Sequence, residues 1–183
     1  MVTLSMLWLP ILLSAVFVFI ASNILWMALP FWHRPDYKSL PEEKTVQDAL
    51  VNAKSGQYIV PCVNWGKLSA EERAAMEARP AALMLVRNPG KFQMGKSLGS
   101  WFGYAVVIAI FVAYLTGHTQ PAGTNYLSIF RVAGTAAFLA FGFRGVPDSV
   151  WYGKPWIVAF KEMIDGLVYS LLIAGTFGWL WPR

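Results

Sequence analysis

The chain has 183 residues and is 56% hydrophobic and 15% aromatic but only 14% charged, with a mean hydropathy of +0.47; this excludes an ordinary soluble domain and points to lipid as solvent. The formal charge of +5 does not describe a nucleic-acid footprint, because ten of the fifteen basic residues fall between positions 34 and 96, interleaved with seven acids. A bias of that kind reads as membrane orientation, and no nucleic-acid partner is expected.

The first uncharged run covers residues 2–32, with Pro10 suited to a first helical turn and Pro30 opposed to continuation. Positions 10–29 make about 30 Å of helix, the thickness of a hydrocarbon core. The run has neither a basic leader nor a small-residue cleavage site, so it is expected to stay as an anchor.

Residues 33–97 form a polar segment with structure of its own. In 43–54 the apolar Val46, Ala49, Leu50 and Ala53 share a helical face. Residues 57–60 then read as a strand ended by Pro61. Ser69 and Glu72 make a capping-box pattern for a helix that Pro80 stops, and 82–86 is compatible with a second strand. A segment this short has too few apolar residues for a large core, and it is expected to lean on lipid or a partner.

Gly90, Lys91, Gly95, Lys96 and Ser97 satisfy the spacing of a phosphate loop, in which glycines let backbone N–H groups curl around phosphate. The helix that follows is an apolar span, however, and nothing supplies a parallel sheet. The preferred reading makes Lys91 and Lys96 cytoplasmic anchors and Ser97 the cap of the second span; the functional alternative is a site for a lipid phosphate or another anion.

The second span is 98–117. After a nearly neutral turn at 118–125 comes a third, 126–143, whose one charge is Arg131. A charge at that depth is expected to snorkel or to find a partner. The fourth, 163–181, carries Asp165 in its first turn, and Pro155 offers an earlier start. Glu162 and Asp165 lie near its cytoplasmic end, as a paired acid and base or, preferred, as a solvated helix start. Gly166, Ser170, Ala174 and Gly178 recur every four residues, a small-residue stripe for close packing against Ala133, Ala136, Ala137 and Ala140.

The expected fold is therefore an all-α integral membrane protein of about four transmembrane helices. It divides into a first span (1–32), a small cytoplasmic α+β insert (33–97) and a three-helix region (98–183). Basic residues near the span ends place the insert in the cytoplasm and both termini outside, as in a bacterial inner membrane. One cysteine, Cys62, and two histidines, His33 and His118, at opposite faces offer no metal-ligand spacing, so neither metal nor cofactor is expected. No catalytic residue stands out. The expected function is a non-catalytic accessory or assembly subunit that packs against lipid and against other membrane subunits or a second copy. The alternatives are a small oligomeric transporter or channel lined by Arg131, Asn23, Asp165 and Thr176, and a lipid-phosphate-binding membrane enzyme.

Overall fold

The computed structural model describes residues 2–183. Its elements in chain order are α1 (Trp8–Asn23), α2 (Pro30–His33), α3 (Glu43–Ala49), β1 (Gly56–Val60), α4 (Ala70–Glu77), β2 (Ala82–Val86), α5 (Met94–Thr119), α6 (Tyr126–Gly142), α7 (Val146–Tyr152) and α8 (Trp156–Trp179). They divide into two compact units, one of residues Met1–Lys38 with Gln93–Arg183 and the other of Ser39–Phe92.

In the larger unit α1, α5, α6 and α8 pack as a helical bundle in which α8 lies against both α6 and α1, and α5 against both α1 and α6. Buried residues recur at helical spacing: Ile11, Ala15 and Val18 on α1, Ala105, Ala109 and Val112 on α5, Ile129, Ala133 and Ala137 on α6, Ile173 and Phe177 on α8. Three stretches are long and apolar enough to cross a membrane: Leu4–Ala28, Met94–Thr119 and Tyr126–Tyr152, in which an 18-residue window has a mean hydropathy of 2.4, 2.0 and 1.5 respectively. The 24-residue α8 is as long but carries Lys161, Glu162 and Asp165 in its first half, which lowers its hydropathy.

In lipid, helices associate by close contact of their surfaces more than by the hydrophobic effect. The α6–α8 contact shows how close. A Cβ added to Gly166 would stand 2.6 Å from the Gly142 Cα, one on Gly134 would stand 3.1 Å from the Ala174 Cβ, and one on Gly178 would enter the Tyr126 ring at 2.7 Å. Ser170 and Ala174 are buried between these points, while Ala136 and Ala140 are half-buried.

Both ends of the described chain are fastened at the same end of this bundle. The Val2 N–H donates to the Gly117 carbonyl at 3.1 Å, and the Gly123 N–H donates to the Pro182 carbonyl at 2.9 Å. Trp181 adds an indole N–H to the Pro121 carbonyl. Asn125 starts α6 by accepting from the Ser128 N–H at 3.0 Å.

One helix start differs from the sequence reading, and another takes its earlier alternative. The second long helix begins at Met94, with Gln93 as the residue before it and no side-chain cap, so Ser97 lies inside α5 and is not its cap. The last begins at Trp156, directly after Pro155, well before position 163. Proline suits that place because it needs no N–H partner there.

The smaller unit pairs β1 and β2 antiparallel, with Gly56 opposite Val86 and Val60 opposite Ala82. Ser69 caps α4 in a full capping box: its hydroxyl accepts from the Glu72 N–H, and the Ser69 N–H donates to the Glu72 carboxylate. That backbone bond holds the Glu72 carboxyl below its ordinary value. None of α3, β1, α4 or β2 contains a buried residue, whereas Val51, Trp65 and Leu85 are exposed.

Candidate functional site

At the end of α1 the helix widens into a π segment, Ile24–Ala28, closed by a Leu29 N–H to Ile24 carbonyl bond of 3.0 Å. Pro30 ends that ladder because it lacks an N–H, and it opens the one-turn α2 as its first residue. A 3₁₀ turn, Arg34–Asp36, follows. These changes of pitch present Trp26, Trp32, His33 and Asp36 to the first turns of α8.

There they meet Asp165. Its carboxylate accepts from the Trp32 indole N–H at 2.8 Å and from the Trp26 indole N–H at 3.1 Å, and it lies 2.7 Å from His33 Nε2. The other imidazole nitrogen, Nδ1, is 3.0 Å from Asp36 Oδ2. Asp36 also accepts from the Lys161 ammonium, which donates in addition to the Trp32 carbonyl at 2.7 Å. Trp26 lies flat on His33, ring centroids 3.8 Å apart. The side chains of His33 and Asp165 are only 4% and 3% exposed, so water reaches the pair very little.

A carboxylate is an acceptor only, and both His33 nitrogens face carboxylate oxygens. Both contacts are hydrogen bonds only if the ring carries two protons. In that form two anions, Asp36 and Asp165, balance two cations, His33 and Lys161. Burial by itself would raise the Asp36 carboxyl; the hydrogen bonds from Lys161 and His33, with their charges, outweigh it and hold the group below the ordinary 3.8.

Glu162 belongs to a separate arrangement. Both its oxygens accept from Lys154 at 2.7 Å, and Arg144 lies 3.8 Å away. Gly145 allows this, since a Cβ there would collide with the carboxylate. Glu162 and Asp165 thus have different partners and do not form a carboxylate pair, and both are buried rather than solvated. One turn beyond Asp165, the Tyr169 hydroxyl is buried and, among the described residues, has no hydrogen-bond partner. Its ring packs edge-on to Trp101 and Phe141.

The remaining candidates are dispersed. Gly90, at φ +135°, belongs with Lys91 to the smaller unit, and Gly95, Lys96 and Ser97 lie in the exposed first turns of α5. The strand before them is one of an antiparallel pair, so the parallel framework of a phosphate loop is missing and the motif does not assemble as one. Arg131 is exposed on α6 and, among the described residues, has no ion pair. No group of three His, Cys, Asp or Glu side chains among the described residues has the geometry to hold a metal.

Sequence reasoning passes over His33, Asp36, Lys161, Trp26 and Trp32 as members of one site. Two local signals point to them: His33 and Asp36 at i, i+3, and Lys161 and Asp165 at i, i+4. A third is that an acid inside an apolar helix needs a partner. No family model, curated protein or solved structure matches this chain.

Proposed function

We propose that the protein is a non-catalytic accessory or assembly subunit of a larger membrane complex. The observation that carries this reading is the Ser39–Phe92 unit, whose helices and strands bury nothing of their own and display Val51, Trp65 and Leu85. Such a surface needs a covering, which a partner subunit or the membrane face supplies.

The charged groups of the bundle support the same reading. Asp36, His33, Asp165 and Lys161 satisfy one another behind tryptophan rings, and Glu162 is held by Lys154. Acids closed in this way hold helices together and offer no free base or nucleophile to a substrate.

In this proposal α8 is a fourth span. Its inner acids are hydrogen-bonded, Asp165 by the Trp26 and Trp32 indoles and in contact with His33, Glu162 by Lys154, which lowers the cost of placing them near hydrocarbon. Attachment of Val2 to Gly117 and of Pro182 to Gly123 at one end of the bundle favours an even number of crossings. Residues 39–92 then lie in the cytoplasm, with both chain termini outside, in a bacterial inner membrane.

The test is purification from native membranes in mild detergent. Other membrane subunits at fixed stoichiometry support the proposal. A protein that runs alone, and whose deletion leaves every membrane complex intact, overturns it.

A further inference from the structure

An open groove of ≈ 560 Å³ lies between the first turns of α5 and the end of α6, lined by Lys96, Ser97, Ser100, Trp101, Tyr104 and Arg144. Two cations from separate elements face it. Glu162, the acid next to Arg144, already receives both its short hydrogen bonds from Lys154, and Arg144 stands 3.8 Å off with its side chain 42% exposed. Lys96, Arg144 and Lys154 against Glu162 and Asp148, whose carbonyl accepts from the Lys154 N–H, leave an excess of one positive charge at this corner. Among the described residues, the Lys96 ammonium and the hydroxyls of Ser97, Ser100 and Tyr104 donate to no acceptor of the chain. The groove therefore gathers donors and lacks an anion.

Its continuation says which anion. Tyr104, Val107 and Phe111 follow at helical spacing on α5, 39%, 48% and 67% exposed, so an apolar track leads from the charged groove along the span. A free phosphate has no use for that track, and an acyl chain does. We infer that the groove binds the phosphate of an anionic phospholipid, with Lys96 and Arg144 on the headgroup and a chain along Val107 and Phe111. This site differs from the phosphate-loop reading: Gly90 and Lys91 play no part in it, and Arg144, Ser100 and Tyr104 do. It is independent of the accessory role, since a lipid site serves a monomer as well as a subunit.

The experiment is native mass spectrometry of the full chain in detergent, titrated with phosphatidylglycerol or phosphatidylcholine. A basic residue at a membrane surface contributes about fivefold to binding of an anionic lipid. Lys96→Gln and Arg144→Gln should each weaken phosphatidylglycerol retention by about that factor and leave phosphatidylcholine unchanged, while Arg131→Gln changes neither. Inorganic phosphate in millimolar excess should not displace the lipid. Arg144 stands near Glu162, so its variant is scored only if it melts like wild type; Lys96 is exposed and carries the test alone otherwise. Unchanged phosphatidylglycerol retention in Lys96→Gln overturns the inference, as does equal retention of the two lipids by the wild type. Displacement by inorganic phosphate overturns the assignment to lipid and leaves a site for free phosphate.

Discussion

Replacing Asp165 by Asn keeps the volume of the side chain and removes its charge. Three hydrogen bonds converge on the carboxylate, from His33, Trp26 and Trp32. The amide offers one acceptor oxygen and an NH₂ that must face at least one of those donors. Breaking a buried pair on one side costs about 3–5 kcal/mol, mostly because the remaining charge is stranded. At about 2–4 °C per kcal/mol for a chain of this size, the melting temperature in detergent should fall by about 6–20 °C. Near-ultraviolet circular dichroism is a suitable readout, since Trp26 and Trp32 are in the network. His33→Gln should cost a similar amount, and the double variant should fall short of the sum by about 1 kcal/mol or more, because either change alone strands the other partner. A loss below about 0.5 kcal/mol for Asp165→Asn, or strict additivity of the two changes, would show that the network does not hold the bundle together.

Gly166→Ala should destabilise the bundle by about 1–3 kcal/mol, because the new methyl meets the Gly142 backbone and not a movable side chain; Gly175→Ala, with the Tyr126 hydroxyl at 3.7 Å, should melt within about 0.5 kcal/mol of wild type. The Asp36 carboxyl is held low in the folded protein, so its stabilisation is complete above its ordinary range and is lost as the pH falls through its folded value. Melting scans from about pH 5 to about pH 2.5 should therefore drop more steeply for wild type than for Asp36→Asn; parallel curves would contradict this. The lone, exposed Cys62 reports the side on which residues 39–92 lie: a membrane-impermeant maleimide should label it in inverted vesicles and not in intact spheroplasts.

The features legible in the sequence are those fixed by near neighbours. Ser69 and Glu72 make a capping box within four residues, and the apolar run of residues 82–86, soon after Pro80, reads as β2. The small-residue stripe on α8 is legible for a similar reason, since helical period alone puts Gly166, Ser170, Ala174 and Gly178 on one face. Asp165 is visible as an acid in an apolar helix, but its partner is not, because His33 precedes it by 132 residues. Nor does spacing along an ideal helix predict how Trp26 and Trp32 point to one carboxylate: the π segment and Pro30 change the pitch between them. Reading Glu162 and Asp165 as one pair fails for a related reason. Positions i and i+3 are neighbours on α8, but Lys154, in the turn before α8, reaches one and the end of the first span the other, and the neighbouring segments decide which partner each acid receives.

The separation between His33 and Asp165 also sets an order of events during synthesis. His33 and Asp36 leave the ribosome with the first span, facing only each other, and neither Asp165 nor Lys161 is present until α8 has been made. Throughout that interval the imidazole and the acid are uncovered; once the last helix docks, the side chains of His33 and Asp36 are only 4% and 6% exposed, while Trp26 keeps 38%. A chain without α8 therefore leaves the His33 imidazole and the Asp36 carboxylate unburied, together with the faces of α1 and α6 that α8 covers, and these features distinguish it from the finished bundle.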